Sequence, residues 1–340
     1  MILVITTREH EYTHAAVAEE RGLDVVVVSY DEILRRKKPH RATHIFTDLD
    51  RLPAWQVHDA AILFRNLRKA GIKALNDPAK VRSRFGLLRV LNRAGINGFD
   101  AYPAESLDVP RRWPVFIRLE GNHLAPVSGL LSNQTELDQA IEDAMSQGAP
   151  RSAILIVEYC SEPVRSGLFR KLSVFRVGDA MLGYTCVHDD NWLVKYGKAG
   201  IAPADLYEEE YSLVETNPYG PAMLDVFNLA GIDYGRVDFG LVGGRPQIYE
   251  INSNPMVDPK PSPGLVERRN QSVALFRTNY LQAMLAIDTG HRPVWLASTD
   301  SVIRAARKLP RDARRAAGAG YRKLKSFAAR GSGEPISTRL

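Results

Sequence analysis

The chain has few cysteines and no long apolar segment. Only Cys160 and Cys186 occur among its 340 residues, too few for a disulfide framework, and neither has metal-ligand neighbours at a useful spacing along the chain. We therefore expect both to be buried strand residues. No apolar run approaches the ~20 residues that span a bilayer, and no basic leader precedes the apolar start at Met1. These absences predict a cytoplasmic protein.

Two nucleotide-related signals are also missing. No Gly-x-Gly-x-x-Gly motif follows the first apolar stretch, so a dinucleotide-binding role has no support. The main body has no basic patch interleaved with aromatic residues, so the net charge of +6 does not imply a requirement for nucleic acid.

The positive charge is concentrated at the C-terminus. Residues 291–340 contain 12 Lys or Arg and 3 Asp or Glu, a net charge of +9, so residues 1–290 together carry −3. Tyr321, Leu324 and Phe327 recur there at helical spacing among basic residues, which predicts a basic helical tail. One interpretation is a solvated helix with a frayed end, and the other is a helix that binds an acidic partner, RNA or a membrane surface.

The pattern of apolar runs divides the remaining chain into two parts. Strand-like runs at Ile2–Thr6, 24–29 and Thr43–Phe46 alternate with helical stretches at 13–21 and 57–70, which predicts a small parallel α/β domain over residues 1–75. From residue 76 to 290, helices alternate with antiparallel-type strands. This second part is expected to form two lobes that divide near residues 160–170.

The segment 234–255 carries the clearest chemical signal. Arg236 and Asp238 lie two residues apart, as do Glu250 and Asn252, so each pair projects from one face of its strand. Gly243-Gly244 marks the turn between the strands.

The length of that turn sets the register. A two-residue turn places Glu250 opposite Val237, whereas a three-residue loop places Asp238 opposite Glu250. We favour the longer loop because it gathers the polar residues on one face and leaves Tyr249 on an apolar face with Val237.

Two carboxylates and an amide oxygen on one face are ligands that suit a hard cation such as Mg²⁺, which is usually shared with nucleotide phosphates. Arg236 beside them can neutralise phosphate charge. The alternative is a surface hairpin with scattered charges.

This segment resembles the metal-binding end of the ATP-grasp superfamily, where a carboxylate precedes Glu-x-Asn and a nearby proline. Its Gly-Arg-x-Asp form is similar to the D-alanine–D-alanine ligase branch. The resemblance implies that Asp238, Glu250 and Asn252 hold two Mg²⁺ ions, with Mn²⁺ as an alternative, against the phosphates of ATP. It also implies a catalytic role for Arg236 at the phosphoryl group or the tetrahedral intermediate.

Further segments follow in the order expected of that family, over residues 76–256. Arg84 and Arg118 stand where the family usually has phosphate-facing lysines, and Arg can hold phosphate bidentately. Glu158 and Tyr159 resemble the hinge strand that meets adenine, through the Glu carboxylate and nearby backbone groups. Lys195, in the segment 192–196, is similar to a strand lysine that reaches the phosphates.

The sequence departs from the family pattern at two places. The loop 120–129 is poor in the glycines that let a phosphate-covering loop close, and His123 within it is either a phosphate donor or an ordinary loop residue. Arg165 stands where an acidic residue is expected for the ribose hydroxyls, and Glu162 is the alternative there.

The resemblance implies an ATP-grasp fold of the α/β class, α+β in its two ATP-clamping lobes, with the parallel domain in front. The implied activity is that of an ATP-dependent carbon–nitrogen ligase. It activates a small-molecule carboxylate as an acylphosphate for an amine-type nucleophile and releases ADP and phosphate. A kinase acting on a hydroxyl and a nucleotide-binding regulator without turnover are the alternatives.

Overall fold

The computed structural model describes residues 1–35, 41–106, 108–121, 124–257 and 266–289. The predicted basic tail at 291–340 and His123 lie outside this part of the chain. Within the described residues, no helix is both long enough and apolar enough to cross a bilayer.

The N-terminal domain is built on a four-stranded parallel sheet. Its strands are β1 (Ile2–Thr6), β2 (Val25–Ser29), β3 (Thr43–Phe46) and β4 (Ala74–Leu75), in the order β2-β1-β3-β4. The helices between them are α1 (Ala15–Ala18), α2 (Tyr30–Ile33) and α3 (Ala54–Lys69). The helix predicted at 13–21 is mostly absent because a 3-10 helix, Arg8–His14, replaces its first turns and α1 spans only four residues.

The next part of the chain forms a lobe around a three-stranded antiparallel sheet. It contains α4 (Arg84–Arg93), β5 (Ala101–Pro103), β6 (Val115–Leu119), α5 (Gln134–Ser146) and β7 (Ile154–Glu158), with strand order β5-β7-β6. Apolar residues of α5 pack on one face of this sheet.

A second antiparallel sheet forms the following lobe, in the strand order β11-β10-β8-β9. Its elements are β8 (Phe169–Val177), β9 (Ala180–Asp189), α6 (Ala204–Thr216), α7 (Gly220–Ala230), β10 (Tyr234–Val242), β11 (Arg245–Asn252) and α8 (Glu267–Ile287). A parallel sheet followed by two antiparallel lobes is the mixed α/β architecture that the sequence predicts, and the fold class is confirmed.

The long helix α8 joins the N-terminal domain to the second antiparallel sheet. Phe276, Tyr280 and Met284 pack in one core cluster with Ile2 of β1 and Phe175 of β8. Burial of this apolar surface on both sides holds the parallel sheet against the lobe that carries the polar hairpin.

Asn76 makes a polar connection across the same junction. Its side-chain amide donates to the carbonyl oxygens of Phe46, at 2.9 Å, and Tyr234, at 2.8 Å. Its side-chain oxygen accepts from the backbone N–H groups of Asp233, at 2.7 Å, and Tyr234, at 2.9 Å. Asn76 is fully buried and has a φ of 61°, a left-handed conformation that Asn tolerates better than most residues.

We expect Asn76→Ala to lower the free energy of unfolding by roughly 3 kcal/mol or more, because four buried backbone groups lose a hydrogen-bond partner at once. Urea unfolding would measure the loss. The exposed Asn191→Ala is the matched control and should change stability little. A loss for Asn76→Ala as small as that of the control would show that Asn76 does not hold the junction.

Candidate functional site

The hairpin of β10 and β11 gathers the four polar residues on one face. Arg236 is the cross-strand partner of Asn252, and Asp238 is the partner of Glu250. This is the pairing that the sequence predicts for the polar residues.

The turn that produces this pairing is not the predicted one. Val242 pairs directly with Arg245, so the turn has two residues, Gly243 and Gly244, and both have positive φ values, of 55° and 74°. Such a turn matches the twist of the flanking strands, and glycine adopts it without steric cost. The expected three-residue loop is therefore wrong.

A β-bulge, in place of a longer turn, sets Asp238 opposite Glu250. The register shifts between Asp238 and Phe239, which leaves Tyr249 as an extra residue on β11. The bulge turns Tyr249 to the same cleft that Glu250 lines, whereas the sequence placed it on the apolar face. Its hydroxyl donates to the Cys160 carbonyl at 3.2 Å, and Gly240 leaves room for it, since a Cβ there would lie 2.2 Å from the Tyr249 hydroxyl oxygen.

Asp238 is the buried centre of the polar face, with 1% of its surface exposed. Its carboxylate accepts hydrogen bonds from Arg236 Nε at 2.8 Å and from the Ser173 hydroxyl at 2.9 Å. Lys171 Nζ lies 3.2 Å from its other oxygen. Burial by itself would raise the pKa of Asp238, but the charges of Arg236 and Lys171 outweigh it and lower the pKa below the usual range.

Glu250 faces two cations from the other lobe. Arg84, at the start of α4, donates to Glu250 Oε2 at 2.8 Å, and Arg118 Nη2 on β6 lies 3.7 Å from the same oxygen. Burial would raise the pKa of Glu250, but the two guanidinium groups lower it despite the nearby negative charge of Asp238. Burial, aided by the charge of Arg84, lowers the pKa of Arg118 to about 10.

Cations therefore outnumber carboxylates at this end of the cleft. Arg84, Arg118, Lys171 and Arg236 surround Asp238 and Glu250, which leaves a local excess of positive charge. An excess of this sign attracts a polyanion such as a chain of phosphates.

Asn252 lies at the end of β11, where the strand turns toward the N-terminal domain. Its side-chain oxygen accepts from the Asn254 N–H at 2.9 Å, and Asn254 Oδ1 in turn lies 2.7 Å from His14 Nε2 and accepts from the Thr13 hydroxyl at 3.1 Å. These contacts connect the predicted metal residues to the 3-10 helix that follows β1.

The donor set of this face fits a divalent cation. Asp238, Glu250 and Asn252 offer carboxylate and amide oxygens on one face, the ligand type that Mg²⁺ prefers. The Glu250 side chain retains 26% exposure, so it is open to the cleft.

The other end of the cleft is apolar and aromatic. Phe116 of β6 lies 5.0 Å from Trp192 between ring centroids, and Tyr159 meets Trp192 edge to face at 5.6 Å. Val157 and Leu193 add aliphatic surface to the same walls. A flat aromatic base can be enclosed by surfaces of this type.

The Glu158 carboxylate has a different environment from the one the sequence predicts. It is 2% exposed and accepts hydrogen bonds from the Tyr102 hydroxyl, at 2.9 Å, and from the N–H groups of Asp100, Arg111 and Arg112, at 3.0, 2.9 and 3.1 Å. These donors hold the loop before β6 against β7, so the carboxylate is committed to the protein. The backbone of Glu158 and Tyr159 borders the cleft.

Lys195 borders the cleft, but not from a strand. β9 ends at Asp189, and residues 192–196 form a loop, so the predicted strand is wrong. The Lys195 ammonium lies 5.2 Å from the ring centroid of the exposed Tyr196. Its carbonyl oxygen accepts from Lys171 Nζ at 2.9 Å.

Lys171 belongs to the polar face, a position that the sequence did not assign to it. It lies on β8 two residues before Ser173, the cross-strand partner of Asp238, so it shares the polar face. From the sequence alone, the pair Arg170-Lys171 is either a candidate for binding an anionic acceptor or a solvated strand edge. The position of Lys171 beside Asp238 depends on the pairing of β8 with β10. The nearest ends of these strands are 57 residues apart in the chain and the farthest ends 73, so no local pattern reveals the pairing.

His14 is buried where the N-terminal domain meets the end of the polar hairpin. Burial lowers its pKa from 6.5 to about 4, while Asn254 and the charge of Asp48 act in the opposite direction. Between those pH values the unfolded chain binds a proton that the folded chain does not, so the free energy of unfolding falls as the pH falls from 6.5 to 4.

We expect His14→Gln to reduce this acid destabilisation by about 2 to 3 kcal/mol across that window. Urea unfolding at a series of pH values would compare the slope with that of the parent chain and of His58→Gln, a variant of an exposed histidine. Equal slopes for all three would contradict the buried neutral state of His14.

Comparison with known proteins finds no matching family model and no matching curated protein. Among solved structures, the chain is similar to the D-alanine–D-alanine ligase from Bacillus anthracis complexed with ATP, at 11% identity and a TM-score of 0.48, over 84% of this chain and 98% of that one. It is also similar to the VanG D-Ala:D-Ser ligase from Enterococcus faecalis, at 13% identity and a TM-score of 0.49, over 84% of this chain and 98% of that one. A third similar structure is a RimK domain ATP-grasp protein from Sphaerobacter thermophilus, at 16% identity and a TM-score of 0.46, over 82% of this chain and 98% of that one.

At these identities and TM-scores the likeness carries no argument of its own. The roles assigned to individual residues rest on the contacts of the cleft itself.

Proposed function

We propose that the chain is an ATP-dependent ligase. It activates a small-molecule carboxylate as an acylphosphate, an amine-type nucleophile displaces the phosphate, and ADP and phosphate leave. The observation that carries this proposal is a single cleft between two antiparallel sheets, aromatic at one end and rich in cations around two carboxylates at the other.

The two ends of the cleft match the two ends of ATP. Phe116, Tyr159 and Trp192 would enclose adenine, and backbone groups of the β7 end would meet its polar edge. The triphosphate would extend toward Arg84, Arg118 and Lys171. Phosphoryl transfer depends chiefly on positioning and on charge stabilisation, and both are properties of a fixed set of cations.

The polar hairpin would act at the reacting phosphate. Asp238, Glu250 and Asn252 would hold Mg²⁺, which supplies neutralisation of the phosphate charge when bound. Arg236 is fixed by its paired contacts to Asp238, at 2.8 and 3.2 Å. A guanidinium held in this way can stabilise charge that develops on the transferred phosphoryl group or on the acyl centre, without reorganising during the reaction.

An isotope experiment tests the proposal with a mixture of candidate acceptors. A pool of carboxylic and amino acids is exchanged in acid with heavy-oxygen water, dried, redissolved in ordinary water at neutral pH, and incubated with the chain, ATP and Mg²⁺. In a ligase, the carboxylate oxygen that attacks the γ-phosphorus leaves with phosphate, so inorganic phosphate should gain one heavy oxygen per ADP formed. An unlabelled pool is the control.

The other outcomes select the alternatives. A stable phosphorylated product without label in free phosphate would establish a kinase that acts on a hydroxyl. ATP binding without ADP formation across all pools would support a nucleotide-binding regulator.

A further inference from the structure

The second antiparallel sheet carries a sulfur, nitrogen and oxygen cluster on its other face. Cys186 and His188 are two residues apart on β9, so both side chains project from the same face. Cys186 pairs with Leu172 of β8, whose side chain alternates with those of Lys171 and Ser173. The cluster therefore lies behind the sheet, away from the polar face of the cleft.

Helix α6 covers this face and adds a carboxylate. Cys186 and His188 are 2% and 5% exposed, and Glu209 of α6 points at them from above. His188 lies beside Cys186 through the alternation of β9, and the fold adds Glu209 from α6.

The three ligand atoms are spaced like the corners of a metal-binding tetrahedron. Cys186 Sγ lies 3.7 Å from His188 Nε2 and 4.0 Å from Glu209 Oε2, and all three atoms fall within 4.8 Å of one another. For zinc bonds of about 2.3 Å to sulfur and about 2.1 Å to nitrogen or oxygen, the edges of a tetrahedron measure about 3.5 Å. The two sulfur distances are within about half an ångström of that value, and the third edge, between His188 Nε2 and Glu209 Oε2, closes by movement of the Glu209 side chain.

The hydrogen bonding of the cluster leaves ligand capacity unused. Among the described residues, the His188 ring has one hydrogen-bond partner, the Cys186 thiol, although buried polar groups normally have strong partners. Glu209 Oε1 accepts from Arg170 Nη1 at 2.5 Å, which fixes the carboxylate and leaves Oε2 directed at the cluster. An outer hydrogen bond of this kind typically orients a metal ligand.

We propose that Cys186, His188 and Glu209 bind a zinc ion, with water in the fourth position. The mixed sulfur, nitrogen and oxygen set selects zinc over Mg²⁺, which takes oxygen ligands. As the zinc–sulfur bond forms, the thiol releases one proton, and the thiolate and carboxylate then neutralise the two charges of the ion.

Metal reconstitution tests this site independently of any ATP activity. The tag-free full chain is treated with chelator, reloaded with zinc in excess Mg²⁺ to occupy the cleft carboxylates, and dialysed. We expect one zinc per chain. Cobalt in place of zinc should give the near-ultraviolet charge-transfer absorption of a metal–thiolate bond, which identifies the cysteine ligand directly.

Matched variants assign the ligands. Cys186→Ser should abolish the charge-transfer absorption, and His188→Gln and Glu209→Gln should each weaken zinc binding at least tenfold. Three controls should bind zinc like the parent chain: Cys160→Ser, His58→Gln and Glu208→Gln, the last next to Glu209 on the same helix.

Two results would overturn the proposal. One is a folded parent chain that retains much less than one zinc and shows no cobalt–thiolate absorption. The other is equal zinc affinity in Glu209→Gln and Glu208→Gln. Glu209 is partly exposed on a helix, so this comparison remains decisive even where Cys186→Ser disturbs folding.

Discussion

Asp238→Asn and Glu250→Gln should each lower ATP turnover by about a hundredfold or more. Each change keeps the shape of the side chain but removes a charge from a site where water is largely excluded, so Mg²⁺ and the phosphates lose a fixed counter-charge. In Asp238→Asn, Lys171 and Arg236 also lose the anion that positions them. ADP formation with an acceptor pool measures the effect.

The fold should survive these changes, because the opposite face of the hairpin remains packed. Val237, Phe239 and Ile248 lie in a core cluster that neither variant alters. Asp225→Asn, an exposed change on α7, is the matched control and should retain the parent rate. A well-folded Glu250→Gln that turns over ATP at the parent rate would remove the hairpin from the reaction.

Lys171→Met should lower turnover by about tenfold to a hundredfold. Its side chain is 13% exposed and its ammonium lies between the Asp238 carboxylate and the Lys195 carbonyl, so it is a cation held in place before the phosphates arrive. Loss of one preorganised donor of this kind typically costs that much or more. Steady-state rates of ADP formation provide the measurement.

The variants Lys195→Met and Lys198→Met, compared with Lys171→Met, show whether Lys171 or Lys195 is the phosphate-facing residue. Lys195→Met should have the smaller effect because its ammonium lies against the exposed Tyr196 ring. Lys198→Met removes an exposed ion pair with Asp190 and should leave the turnover unchanged. A larger loss in Lys195→Met than in Lys171→Met would restore the role that the sequence assigned to Lys195.

The polar hairpin was predictable because strand parity is local information. Arg236 shares a strand face with Asp238, and Glu250 with Asn252, whatever surrounds them, once their strands exist. The same holds for β1 and β3, whose apolar runs coincide with the observed strands. The bulge at Tyr249 was not predictable, because two different irregularities, a longer turn or a bulge, give the same pairing of Asp238 with Glu250.

Features that depend on distant contacts were beyond the sequence. Glu158 ends a strand in the expected position, but its carboxylate is taken up by a loop 46 to 58 residues away in the chain. Cys186 and His188 are visible as a spacing of two, while Glu209 reaches them only because α6 packs on β9. The partners of a buried polar group are set by packing, not by spacing.

The central claim is that the cleft between the two antiparallel sheets is an ATP site. A crystal structure of the full chain with Mg²⁺ and a non-hydrolysable ATP analogue tests it most directly. We expect the base against the wall formed by Phe116, Tyr159 and Trp192, the phosphates among Arg84, Arg118 and Lys171, and Mg²⁺ between the terminal phosphates and the hairpin carboxylates. A nucleotide bound outside this cleft, or one with its phosphates at the aromatic end, would contradict the proposed ATP site.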